Sequence, residues 1–325
     1  MSVRTLPRDD AWRFAYRVLP YLQAASQEQL ESRLADILRN IYTLTGDGKL
    51  GSLPPERGGL VWEQKLTDLN LEYYRRSQDM EAIARPEHLP FHQAALDLVK
   101  ANSRLRCHLD RKPVFCRYGE LRWMRELYEE GKLLLSPASH YLAAEHGLAR
   151  QDNELLLTTF VSPYHYDLGM LHPRTAPHLP PDRCWLELEH RKPSDHYLYC
   201  LTVTFDFRYF VDFGAETAPA EACVLIHDQA QFEERLIAAV SRVLPSWHVS
   251  FGMVRYVDPY FIIEELPGVG ADIFYYKNFR YMYQMEYRLV ALPPRSAIHS
   301  LEASLDRLPV TLGSLVDIAD LLTLA

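Results

Sequence analysis

The chain has 325 residues, 48% of them hydrophobic, with 35 Lys and Arg against 43 Asp and Glu for a formal net charge of −8. That composition excludes a disordered or coiled-coil protein, and the length suits one large domain or two smaller ones, either able to bury a core of its own. A net negative chain exerts no overall pull on nucleic acid or an anionic membrane, so a polyanion would have to meet a local cationic patch.

Asp9 and Asp10 precede Trp12, Ala15, Tyr16 and Leu19 at helical spacing, which predicts a helix ended near Pro20. From Gln27 to Leu44, Leu30, Leu34, Ile37, Leu38 and Ile41 form one apolar stripe on an otherwise charged helix. Residues 46–59 hold five glycines and two prolines, too many helix breakers for anything but a loop. Helices from Trp62 to about Ala84 and from about Phe91 to Leu105 complete a helical N-terminal region, residues 1–111.

From residue 112 short apolar runs take over. Val114-Phe115-Cys116, Leu133-Leu134-Leu135, Leu155 to Val161, Tyr197 to Phe205, Cys223 to Ile226, Val249 to Val257 and Tyr287 to Leu292 have the length and composition of strands. Between them stand a helix from Glu120 to Glu130, closed by Gly131 as a left-handed cap, and another from Gln229 to Val243 before Pro245. The expected class is α+β, with a mostly antiparallel sheet in a second domain of residues 112–325. Residues 163–183 read as a long irregular loop, with five prolines between Pro163 and Pro181, and such a loop inside a compact domain is often functional.

The five cysteines are widely spaced, with no C-x-x-C pair, which fits a reducing compartment. Charges interrupt every early apolar run and no stretch is apolar enough to cross a bilayer, so a cytoplasmic protein with no membrane partner is expected.

The chain has no G-x-G-x-x-G after a predicted strand and no P-loop, G-x-S-x-G or H-E-x-x-H motif. In an extended segment Gln284, Glu286 and Arg288 share one face, setting a carboxylate beside an amide; on spacing alone, the polar face of an edge strand is the stronger reading. Arg117-Tyr118 leaves a strand beside a helix start, where a guanidinium and free backbone N–H groups can hold a phosphate. A surface ion pair of Arg117 with Glu120 or Glu154 is the structural alternative. Ser136 and Ser139 suit a turn and a helix cap equally well.

Asp152-Asn153-Glu154 is a dense polar run that reads as a strand-entry turn, with a cleft wall as the alternative. His165, His172, His178 and Cys184 match no zinc spacing, and no metal site is assigned. Glu187, Glu189 and Lys192, with Asp167 or Asp182 upstream, suggest the carboxylate and lysine set of a metal-dependent nuclease, but the Glu-x-Lys step is missing. The aromatic segments Tyr197 to Phe213 and Phe274 to Tyr283, interleaved with Arg208, Lys277 and Arg280, suit a packed sheet first and base stacking with phosphate pairing second.

In order, a strand-end arginine, a helix, a second strand ending in serine, and a late Gln-x-Glu resemble the signature of the ADP-ribosyltransferase-like superfamily. The short spacing of Arg117 to Ser136 is closest to its compact DarT-like and RNA 2′-phosphotransferase-like branches, and the pattern is also similar to a widespread group of bacterial proteins. The resemblance spans roughly residues 112–295. Ser136-Pro137-Ala138-Ser139 departs from the family's Ser-x-Ser, and Tyr141 stands where a His/Tyr/Glu subgroup would place its stacking tyrosine.

The resemblance implies a split β-sandwich that uses NAD. Glu286 would be the catalytic carboxylate, Gln284 would face the acceptor, and Arg117 with Tyr118 would bind the pyrophosphate. Ser136 or Ser139 would support Glu286, and Tyr141 would stack on nicotinamide. It further implies RNA, DNA or a protein side chain as acceptor, and a toxin or antiviral-defence setting, with a gating or partner-binding role for the N-terminal helices. A metal-dependent nuclease and a non-catalytic interaction protein with a degenerate NAD site are the alternatives.

Overall fold

A computed structural model of the chain describes residues 6–44, 49–55, 58–80, 93–109, 114–142, 152–162, 186–214, 218–260, 271–294 and 305–324. Helix α1 (Arg8–Val18) buries only Tyr16. Helix α2 (Gln27–Ile41) opens on a reciprocal capping box: the Ser26 hydroxyl accepts from the Gln29 N–H while the Gln29 amide oxygen accepts from the Ser26 N–H. Its predicted stripe is buried throughout. The helical pattern stops three residues short of Leu44, because Tyr42–Leu44 is a strand, β1, paired antiparallel with β2 (Leu50–Ser52) inside the expected loop. Helix α3 (Gly59–Arg75) also ends earlier than its sequence suggests, where Ser77 adopts a left-handed φ of 58° and the Gln78 N–H turns back to the Tyr73 carbonyl. Helix α4 (Gln93–Ala101) is followed by a 3-10 turn, Ser103–His108.

Beyond these lie β3 (Phe115–Gly119), α5 (Leu121–Glu130), β4 (Lys132–Pro137), β5 (Leu156–Val161), β6 (Leu186–Arg191), β7 (Tyr197–Thr202), α6 (Arg208–Asp212), β8 (Ala222–Ile226), α7 (Gln229–Val243), β9 (His248–Met253), β10 (Arg255–Val257), β11 (Tyr276–Asn278), β12 (Glu286–Leu292), β13 (Leu308–Thr311) and β14 (Ala319–Thr323). Gly131 closes α5 at φ 67°, as its position predicts. An eight-stranded sheet runs β13-β4-β7-β3-β8-β14, with β12 on the other edge of β7 and β9 beyond β12, and its pairings are antiparallel. The described chain is therefore mixed α and β with a helical N-terminus and a large antiparallel sheet. None of its described helices is long and apolar enough to cross a membrane.

Both faces of the sheet are covered. Ala222, Val224 and Ile226 of β8 feed a core shared with α5 and α7, while Cys223 and Leu225 feed the opposite one, shared with α4. A third core joins α1, α2 and α3 to Tyr260 and Phe279, with the Trp62 ring stacked on Phe279 at 5.0 Å. The helical first third and the strand region thus share their interiors.

The register around β7 places the site. On one edge β7 pairs with β12 along its whole length. On the other, β3 meets it at Cys116↔Thr202 and β4 at Ser136↔Leu198 and Pro137↔Tyr197. Between those contacts β3 and β4 part, and the sheet is split alongside Tyr199, Cys200 and Leu201.

Candidate functional site

Glu286 is the first residue of β12. The chain reaches it through a 3-10 turn, Phe279–Gln284, and then Met285 in the left-handed region at φ 45°. Gln284 therefore lies outside the strand, and its predicted alternation with Glu286 does not occur. Both side chains nonetheless meet Lys277, whose Nζ donates to Gln284 Oε1 at 3.2 Å and to Glu286 Oε2 at 3.1 Å. Glu286 and Arg288 do share a strand face, and Arg288 Nε donates to Glu286 Oε1 at 2.7 Å.

Arg288 also grips Glu154 through two parallel bonds of 2.8 and 2.9 Å. Lys277 stands 3.4 Å from Glu154 and 3.6 Å from Asp152, and Lys192 stands 3.4 Å from Glu154. Three cations (Lys192, Lys277, Arg288) thus face three carboxylates (Asp152, Glu154, Glu286), and all but the half-buried Asp152 are buried. Removing so many charges from water costs several kcal/mol per ion before pairing offsets it, and such clusters concentrate at functional sites.

Pairing decides the protonation states. Burial alone would raise the Glu286 carboxyl, but Arg288 and Lys277 outweigh it and hold the group below its usual range. Glu154 is held lower still, against the same burial, by Arg288, Lys277 and Lys192. Asp152 goes the other way: burial raises it more than Lys277 lowers it. The result is a buried, ionised Glu286 held by the Arg288 guanidinium at 2.7 Å on one oxygen and by the Lys277 ammonium at 3.1 Å on the other.

Arg117 occupies the split. Its Nη1 donates to the Cys200 carbonyl at 2.7 Å, an acceptor that the parting of β3 and β4 leaves without a neighbouring strand, and its guanidinium lies 4.9 Å over the Tyr199 ring. Neither Glu120 nor Glu154 pairs with it among the described residues; Glu120 pairs with Arg122. Burial opposes the Arg117 charge, while Tyr199, Tyr141, Cys200 and Glu286 support it. Tyr141, in a 3-10 turn spanning Ala138–Leu142, is raised above its ordinary range by burial and also feels Glu154 and Glu286. Arg117 is tied to the Glu286 side of the sheet through Cys200, whose carbonyl it bonds and whose partner on β12 is Arg288, the residue that holds Glu286.

The other expected residues lie elsewhere. Ser139 does not support Glu286: its hydroxyl donates to Asp195 at 2.6 Å and its N–H to the same carboxylate. Ser136 faces Leu198, whose partner on β12 is Val290, so it sits roughly 13 Å along the sheet from the Glu286 row. Tyr118 packs in the core shared with α4, and its hydroxyl accepts from the Asp206 N–H at 3.0 Å. Glu187 and Glu189 are exposed on β6 whereas Lys192 is buried, so that acid and lysine set does not converge. Among the described residues no group of three or more His, Cys, Asp or Glu is placed to hold a metal ion. Residues 163–183, with Asp167, Asp182, His165, His172 and His178, lie outside the described residues, as does Cys184.

Glu154, Lys192 and Arg288 carry the cluster without standing out by motif. The available signals were the Asp152-Asn153-Glu154 run and the charge alternation of Glu286-x-Arg288. On the far side of Lys277 from Glu286 is a cavity of about 230 Å³, lined by Asp152, Glu154, Lys192, Lys277, Arg280 and Tyr281, among others.

No family model matches the chain, and no curated protein or solved structure matches it.

Proposed function

We propose that the protein is an NAD-dependent ADP-ribosyltransferase in which Glu286 is the catalytic residue. NAD supplies a ribose already bonded to a good leaving group, and its transfer needs negative charge beside a developing oxocarbenium. The observation that carries the reading is that Arg117, in the split of the sheet, bonds Cys200, whose β12 partner Arg288 holds the buried, ionised Glu286. The split is also what supports a split-sandwich fold of this superfamily. Arg117 spends one of its five N–H donors on Cys200 in the bonds described, which leaves capacity for a pyrophosphate. Tyr141 would cover the nicotinamide, and Gln284, tied to Glu286 through Lys277, would face the acceptor, with RNA, DNA and protein side chains all within the proposal. For a ribose hydroxyl to bond Glu286 Oε2, Lys277 must yield that oxygen. The setting proposed is a toxin or antiviral-defence effector, with the N-terminal helices as a regulatory surface.

One feature favours a second reading, an interaction protein with a degenerate site: both Glu286 oxygens are already held by the protein's own cations. Incubation with labelled NAD and cellular RNA, DNA and protein fractions separates the two. Transfer or nicotinamide release that falls by about 10²-fold or more in Glu286→Gln, with the variant still folded, supports the enzyme. No turnover and no NAD-induced rise in Tm supports the interaction protein.

A further inference from the structure

We infer that the cavity beside the ion cluster is a binding site for a sugar phosphate, either free or as the phosphorylated end of a nucleic-acid strand, and that Lys277 couples its occupancy to Glu286. The inference goes beyond NAD turnover, and the binding does not depend on it.

Size sets the class of ligand. At about 230 Å³ the cavity is far larger than the ~30 Å³ a water occupies, yet below the ~300–1,000 Å³ of sites for drug-sized molecules. A volume of that size suits one sugar with its phosphate.

Charge sets the chemistry. Lys192, Lys277 and Arg280 contribute three cations to the wall, against the carboxylates of Asp152 and Glu154. Glu154 is already engaged by both terminal nitrogens of Arg288, so its charge is compensated from behind the wall. Arg280 is the most open of the three: its side chain is 35% exposed, although its Nε is sealed from solvent and turned to Asp36 at 3.7 Å. Its terminal guanidinium nitrogens make none of the hydrogen bonds found among the described residues, and with two ammonium groups behind them they match the oxygens of a phosphate monoester. Thr158 and Asn153 add a hydroxyl and an amide to the wall, the groups that meet sugar hydroxyls.

Position sets the coupling. Lys277 Nζ has Asp152 on its cavity side at 3.6 Å and Glu286 Oε2 at 3.1 Å on the other. A dianion arriving beside Asp152 draws the ammonium toward the cavity and loosens its hold on Oε2. The same linkage requires that neutralising Glu286 strengthen phosphate binding, because Lys277 then has one fewer competitor.

The test is calorimetric titration of the full chain with ribose 5-phosphate, with ribose as control, and competition by short RNA and DNA strands carrying either a 5′-phosphate or a 5′-hydroxyl. Ribose 5-phosphate should bind and ribose should not, Arg280→Ala should weaken binding by about tenfold or more, and Glu286→Gln should tighten it severalfold. Competition by the 5′-phosphorylated strand alone assigns the strand end as the source, and its absence assigns the free sugar phosphate. Thr158→Val, which touches none of the ion pairs, applies the same criterion should Arg280→Ala fail to fold. Wild-type protein that does not bind ribose 5-phosphate, or binding equally strong in these variants, overturns the site; an unchanged affinity in Glu286→Gln overturns the coupling. Binding without NAD turnover would leave this site standing and remove only the transferase.

Discussion

Arg33 of α2 and Asp258, 225 residues further along the chain, face each other through two parallel hydrogen bonds of 2.8 Å, both side chains buried. Lys65 of α3 closes on the same carboxylate at 2.5 Å. Slightly further along α2, Asn40 donates to the Arg280 carbonyl at 3.0 Å and accepts from the Tyr283 N–H at 2.7 Å. The first third of the chain therefore holds Asp258, just past β10, and the turn at Phe279–Gln284, which follows Lys277 and delivers the backbone to Glu286. These contacts tie the N-terminal helices to the turn that precedes Glu286.

Breaking that clasp from one side leaves a buried charge short of its partner. Arg33→Met should destabilise the fold by about 3 kcal/mol or more, measured by urea unfolding. Because Lys65 also pairs with Asp258, Arg33→Met combined with Asp258→Asn should not restore stability but should cost less than the sum of the two single losses, since each single variant already breaks the shared pair. Strictly additive losses would show that Arg33 and Asp258 are not coupled.

Within the ion cluster, Glu154 and not Glu286 bears the structural load. Glu154 meets three cations, Arg288, Lys277 and Lys192, whereas Glu286 meets two. Glu154→Gln should therefore cost about 3–5 kcal/mol and exceed the loss in Glu286→Gln, since Arg288 and Lys277 keep Glu154 when Glu286 is neutralised. The reverse order in denaturant midpoints would contradict this account of the cluster.

The contrast between these two residues also shows what a sequence can carry. Helices α5 and α7 are legible because an apolar period and a terminating Gly131 or a following Pro245 lie within one short window. Glu286 is legible as a carboxylate on a strand, with Arg288 on its face. Its bond to Lys277 and the bond of Arg288 to Glu154, 134 residues away, depend on how separate segments converge, which no local pattern encodes. The turn at Met285 escapes for a related reason: a methionine at positive φ violates the preference that would betray it. Val249 to Val257 reads as one strand, but the Val254 N–H donates to the Glu286 carbonyl and β10 leaves to pair in parallel with β11. Strand β13 is masked by Pro309, tolerable because β13 lies at a sheet edge.

Two buried groups should give the stability opposing slopes with pH. Burial first, and the charge of Lys192 second, push the His196 imidazole down from 6.5 to about 4, so below its ordinary value the unfolded chain takes up a proton that the folded state refuses. Its contribution is complete above that value and lost as pH falls toward 4, by roughly 3 kcal/mol. Asp68 is pushed up from 3.8 to about 6, chiefly by burial, so its contribution is complete in acid and lost as pH rises through 6. The two partly cancel in wild-type protein. Asp68→Asn should expose the His196 slope, giving a steeper fall in unfolding free energy on acidification from about pH 7 to about pH 4. An unchanged slope would rule this balance out.

Gly131 and Gly313 both have positive φ, at 67° and 88°, but they differ in the space around them. A Cβ on Gly131 would lie 2.0 Å from the Gly313 carbonyl oxygen, whereas one on Gly313 would meet nothing within 4 Å. Gly313→Ala should therefore cost only the backbone term, about 1–2 kcal/mol. Gly131→Ala carries that same term and must also push apart the α5–β4 turn and the chain after β13, whose Leu312 N–H donates to the Gly131 carbonyl at 3.0 Å. Its loss should exceed that of Gly313→Ala by about 1 kcal/mol or more in thermal or urea unfolding. Equal losses would mean that the backbones are not in contact at this turn.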